Sequence, residues 1–114
     1  MSPEERDAAH LWDMLAAARL ARELLEGVAL EGYLRERMRQ LALERALELM
    51  GEAARRASEA FQSGHPQVEW RRIVGQRNVL AHEYGAIDQE RLYRTGKENV
   101  PGLIAVLERI LERL

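Results

Sequence analysis

At 114 residues the chain has room for one domain and one core, but not for separate catalytic and regulatory units. Hydrophobic residues make up 46% and charged residues 32%, which excludes a disordered chain; with aromatics at 5%, the core must be Leu, Ala, Ile, Val and Met. A net charge of -2 is too small for a protein that coats nucleic acid, and the lack of cysteine excludes disulfides, thiolate zinc sites and cysteine nucleophiles.

The opening Ser-Pro-Glu-Glu reads as a helix start, with Ser2 as N-cap, Pro3 as first helical residue and Glu5 at the third position. Leu11, Leu15, Ala18 and Leu25 then recur at helical spacing, and the stripe ends near Gly27. A second, long helix is expected from about Leu30 to Phe61. Its apolar residues Ala42, Leu43, Ala46, Leu47, Leu49, Met50, Ala53, Ala54 and Ala57 form a face wider than one partner helix requires. Leu34, Met38 and Leu41 lie to one side of that face, on a line continued by Arg45, Glu48 and Glu52. Such a helix would be about 45 Å long. Either it bends near Gly51 around a single core, or it is shared with a second subunit; the width of the face favours a dimer.

Gln62 to Pro66 reads as a turn, and Trp70, Ile73, Val74, Val79 and Leu80 predict a third helix over about Val68 to Ala81, with Gly85 as its stop. Asp88 caps a fourth helix carrying Leu92 and Tyr93, and Pro101 kinks or divides it. Leu103, Ile104, Leu107, Ile110, Leu111 and Leu114 form the final stripe. With no alternating strand pattern and no repeat, the expectation is an all-α, up-and-down bundle of four or five helices in a single domain, 1–114. No apolar run approaches the length of a membrane span and the first ten residues lack a signal-peptide core, so a cytoplasmic location is the default.

The cations are lopsided, with 16 Arg against the single Lys97, a bias that a GC-rich genome explains without reference to function. The segment RNVLAHEYG, Arg77 to Gly85, stands out because it sets an arginine, a histidine and a tyrosine close together in a chain of alanine, leucine, glutamate and arginine. With 16 Arg and 3 His, about 0.4 Arg-x4-His pairs arise by accident, so the spacing alone is weak. A Tyr two residues beyond the His lowers that to about 0.01. The bland readings are a histidine at a helix end, a tyrosine at the edge of a core and an exposed asparagine at Asn78.

This segment, with MGEAARRASEAF and HPQVEWRRIVGQ before it, resembles the HepT family of toxins in the HEPN–nucleotidyltransferase toxin–antitoxin pairs. The resemblance runs from LWDMLAAARLARELLEG to PGLIAVLERILERL, and Arg77, His82 and Tyr84 meet the R-x4-H-x-Y motif without departure. It implies a homodimeric HEPN-like helical bundle that cleaves RNA without a metal or other cofactor. By the same resemblance it would be the toxin of a type VII-like system, with Arg77 and His82 catalytic. The antitoxin would be a minimal nucleotidyltransferase that transfers AMP to Tyr84 and silences the toxin.

The residue chemistry agrees with that reading. RNA carries its own nucleophile, the 2′-hydroxyl, so cleavage needs proton transfer and stabilisation of an anionic phosphorus. An imidazole that titrates near neutrality supplies the first and a guanidinium the second. Asp and Glu are plentiful but show no metal-site spacing. Asn78, four residues before His82, is placed to orient the imidazole or is simply exposed.

On an unbroken helix Arg77 and His82 would lie about 7.5 Å and about 140° apart, too far round to hold one phosphate from one face. Either the helix unwinds before His82 or the cleft is assembled from two chains. The pairs Arg55-Arg56 and Arg71-Arg72 extend a track for RNA or form a solvated surface. Trp70 reads as core rather than a stacking platform, His65 as a structural turn residue, and His10 lacks supporting context. The rival reading is a non-catalytic helical module in which the motif docks a nucleotide or the nucleotidyltransferase, and the partner supplies the chemistry.

Overall fold

The computed structural model describes residues 1–82 and 87–114. Helix α1 spans Pro3–Leu25, and its start and stop follow the expected local chemistry. Ser2 Oγ accepts from Glu5 N at 3.1 Å, while past the end Gly27 takes a φ of 70°, a left-handed conformation that suits glycine.

The long second helix does not exist as one piece. A single turn, α2 (Leu30–Tyr33), is followed by a break at residues 34–36, then α3 (Arg37–Arg56), a second break at 57–58, and α4 (Glu59–Gly64). Both breaks are tied down by distant residues. At the first, Tyr33 is fully buried and its hydroxyl donates to Gln89 Oε1 at 2.6 Å, while Arg39 donates to the carbonyl of Leu24. At the second, the buried carboxylate of Asp7 accepts from both the backbone N and the hydroxyl of Ser58, each at 2.8 Å. Ser58 in turn caps α4 by accepting from Phe61 N at 3.1 Å. The expected turn at Gln62–Pro66 therefore begins later, since Gln62 to Gly64 are still helical.

Of the two alternatives, neither a break at Gly51 nor a single long helix is found: the chain breaks at 57–58, and Gly51 lies inside α3 as a point of close approach. Most of the broad apolar face of α3 is covered within the chain: α1 packs along one side and α5 (Trp70–His82) along the other. Leu43, Ala46 and Leu47 are completely shielded, worth about 1.5–3 kcal/mol for each leucine. Met38, Leu41 and Leu49 remain exposed on the line left over.

Asp88 caps α6 (Gln89–Arg94) by accepting from Arg91 N at 3.1 Å. The last helix is divided beside Pro101, as the sequence predicts. A five-residue π turn, Thr95–Asn99, joins α6 to α7 (Val100–Glu112), and Val100 N bonds back to Thr95 O. The proline falls in the first turn of α7, where a missing N–H costs least. Helix α7 packs antiparallel on α1, with Arg19 and Glu108 paired at 2.8 Å near its middle. The result is all-helical among the described residues, with α1 and α3 at the centre and α5 and α7 on opposite flanks. No described helix is long and apolar enough to cross a membrane.

Candidate active site

Helix α5 carries Arg77, Asn78 and His82. Its buried residues are Trp70 and Ile73, which fix one face against α3. Trp70 is core, as its type suggested: the ring meets Phe61 edge-on at 6.2 Å and its indole N–H donates to His65 O at 2.9 Å. His65 accordingly has a structural place beneath that turn, with its ring 4.3 Å from Phe61.

Arg77 sits where α5 comes closest to α3. A Cβ added at Gly51 would lie 2.9 Å from the Ile73 carbonyl and would collide with the stem of Arg77. The arginine stem thus lies on bare backbone, and its side chain is only 23% exposed. Its Nη2 atom is 2.9 Å from Glu52 Oε2, and Nη1 donates to Asn78 Oδ1 at 3.1 Å. Asn78 therefore turns its amide oxygen to Arg77 rather than to His82. Arg77 Nε is shielded from solvent and has no hydrogen-bond partner among the described residues.

Glu52, on the line beside the broad apolar face of α3, is the residue that sequence reasoning missed. Its Oε1 atom accepts from Arg55 at 2.7 Å and lies 3.3 Å from Arg56, while Oε2 faces Arg77. The bond from Arg55 holds its carboxyl below the usual range, with desolvation opposing and the charges of Arg55, Arg77 and Arg56 assisting. The same bond raises Arg55 above its ordinary value. The local signal was Gly51: a glycine inside a helix of good helix formers costs about 1 kcal/mol and marks a close approach.

His82 closes α5 and is exposed. Because the helix runs unbroken from Trp70 to His82, it does not unwind before the imidazole. Arg77 and His82 therefore keep the angular separation of about 140°. Tyr84 and Gly85 lie outside the described residues.

Two open grooves flank α5. One, of about 1020 Å³, lies on the side of Asn78 and is lined by Arg55, Arg71 and Arg72. The other, of about 590 Å³, is lined by Val79, Leu80, Ile87 and Leu92. No group of three or more His, Asp or Glu side chains gathers as a metal site among the described residues.

A family model described as ribonuclease HepT-like matches residues 14–110. The chain belongs to the HepT-like ribonuclease family. Family relatives include a protein of Thermococcus cleftensis named a probable ribonuclease HepT, 33% identical over 89% of this chain and 92% of its own. Another, from Methanocaldococcus jannaschii and provisionally named an RNase, is 37% identical over 82% of this chain and 85% of its own. A third, from Caldanaerobacter subterraneus subsp. tengcongensis and also provisionally named an RNase, is 29% identical over 80% of this chain and 81% of its own. No solved structure matches the chain.

Proposed function

We propose that this single-domain chain is a metal-independent endoribonuclease, the toxin of a toxin–antitoxin pair acting in the cytoplasm. The observation that carries the reading is Arg77, lodged over Gly51 and steadied by Glu52 and Asn78, on the same helix as an exposed His82 in a HepT-like chain. A guanidinium held in this way meets the need for a fixed cation beside a phosphate whose charge grows during reaction. His82 takes the proton of the 2′-hydroxyl as that oxygen attacks phosphorus, and a proton is returned to the departing 5′-oxygen. The new bond is 2′-O–P and the broken bond is P–5′-O, so the nucleophile comes with the substrate.

The unbroken α5 supports a cleft built from two chains. One helix presents Arg77 and His82 in different directions, and a two-fold dimer sets both copies of each around one groove. Val79, 52% exposed on the side of α5 away from Arg77, gives such a partner an apolar foothold. Tyr84 is proposed as the AMP acceptor, with a small nucleotidyltransferase as antitoxin. An adenylate two residues from His82 would place a bulky anion at the cleft and compete with RNA for Arg77. A fully active Tyr84-AMP protein would contradict this part.

The deciding experiment is cleavage of mixed RNA in EDTA by the purified protein and its His82→Ala variant, with intact mass measured on both. Cleavage by the parent alone is expected. An inactive, unmodified dimer would instead support a docking module, and added mass matching AMP would identify the silenced form.

A further inference from the structure

We infer that the groove on the Asn78 side of α5 is a track for the phosphodiester backbone of a single RNA strand, leading along the helix to His82. The inference rests on the endoribonuclease reading for what the track serves, but the binding it describes can be measured without cleavage.

Three observations carry it. The first is where the positive charge sits: in a chain of net charge -2, residues 51–82 hold five Arg against three Glu, and Arg55, Arg71 and Arg72 line this groove with one acid, Glu69, while Arg72 also borders the groove on the other side of α5. The second is direction. Arg71, Asn78 and His82 follow one another at spacings of seven and four, which puts them on one line of α5 over about 16 Å. The groove's lining reaches Asn78, from which the same line of α5 leads to the imidazole, and Arg77 meets that line through its bond to Asn78.

The third is the balance of partners. Arg55 is paired with Glu52 at 2.7 Å and Arg72 with Glu69 at 3.1 Å, whereas Arg71 is exposed and has no ion pair among the described residues. Arg71 is thus the cation in the groove with least to give up on meeting a phosphate, and Arg55 and Arg72 must share theirs.

The chemistry of the walls narrows the ligand. The groove is open, which suits a polymer passing over it better than a nucleotide enclosed on all sides. A channel along a single helix follows one backbone rather than the two of a duplex. Its one large aromatic, Trp70, is only 8% exposed with its N–H already bonded, so it gives the bases no stacking platform. Recognition is therefore by charge on the backbone, tolerant of sequence and sensitive to salt.

The test uses fluorescence anisotropy with 2′-O-methyl oligouridylate, a strand that this chemistry cannot cut, titrated into the full-length parent and Arg71→Glu over a series of salt concentrations. An Arg35→Glu variant, exposed on the loop before α3, makes the same change in net charge elsewhere. Arg71→Glu should weaken binding about tenfold and lower the slope of log affinity against log salt by about 0.7. Arg35→Glu should leave the slope as in the parent. Equal affinity and slope for parent and Arg71→Glu would overturn the track, as would equal losses from the two reversals, which would reduce the effect to net charge. Failure of the parent to bind would do the same. A parent that binds through Arg71 yet leaves all RNA intact in EDTA would keep the track and remove the nuclease.

Discussion

Helices α1 and α5 both lean on α3, and they do so with opposite materials. Against α1 the contact is apolar along its length: Leu11, Met14, Leu15, Ala18, Ala21 and Leu25 are all buried, and the one buried charge, Asp7, is spent on holding Ser58. Against α5 only Trp70 and Ile73 are buried, and the closest approach is the stem of Arg77 laid on Gly51. The first seam holds the fold together. The second gives up apolar contact to hold one guanidinium, ringed by groups that solvent or a ligand can reach. Substitutions in the two seams should therefore separate stability from activity.

The largest effect is expected on the α5 side. His82→Ala should lower RNA cleavage by about 10²- to 10⁴-fold, the usual contribution of a general acid–base, and leave the urea midpoint unchanged because the side chain is exposed. A matching fall in stability would mean that His82 belongs to the fold. On the other side, Leu15→Ala removes a side chain that is 1% exposed and should cost about 2–5 kcal/mol in urea unfolding. The cleavage rate per folded molecule should then stay at the parent's value; a large loss would show that the apolar seam also shapes the site.

Gly51→Ala tests the junction of the two. Alanine is the better helix former by about 1 kcal/mol, but its methyl would press on the Ile73 carbonyl, which is backbone and cannot swing aside. Overpacking of this kind costs about 1–3 kcal/mol, so a net destabilisation is expected together with a fall in cleavage as Arg77 is displaced. A variant that is more stable and equally active would show that the close approach relaxes without consequence.

How far these features could be read in advance depended on how local their causes are. Ser2, Gly27 and Asp88 mark helix ends through neighbours within a few residues, and those ends lie near where the sequence placed them. The long helix over residues 30–61 was misjudged because neither break has a Pro or Gly in it. The cap at Glu36 has no side-chain bond, and Ser58 is seized by Asp7 from 51 residues away. Arg77 and His82 were singled out by the R-x4-H-x-Y resemblance, their spacing alone being weak, and with Asn78 they lie within one helix. Glu52, brought to Arg77 only by the crossing of α3 and α5, was not singled out.

The smallest expected effect concerns a polar contact that is closed where that of α5 is open. Tyr33 is fully buried, its hydroxyl donates to Gln89 Oε1, and Gln89 in turn donates to Glu44 at 2.7 Å. Burial first, and then the charge of Glu44, push its phenol up to about 12 from an ordinary 10.0, with Arg37 opposing. The folded protein thus holds this proton more tightly than the unfolded chain does. The corresponding stability is complete below pH 10.0, falls as the pH rises and is gone beyond about 12. Tyr33→Phe should cost about 1 kcal/mol near neutrality, since Gln89 loses a donor, and should flatten this part of the alkaline decline. Urea midpoints of both proteins between neutral pH and about 12 should therefore converge as the pH rises. Curves that stay parallel would mean that the phenol ionises as readily in the fold as outside it. The contact between α2 and α6 would then be as open to water as the face of α5.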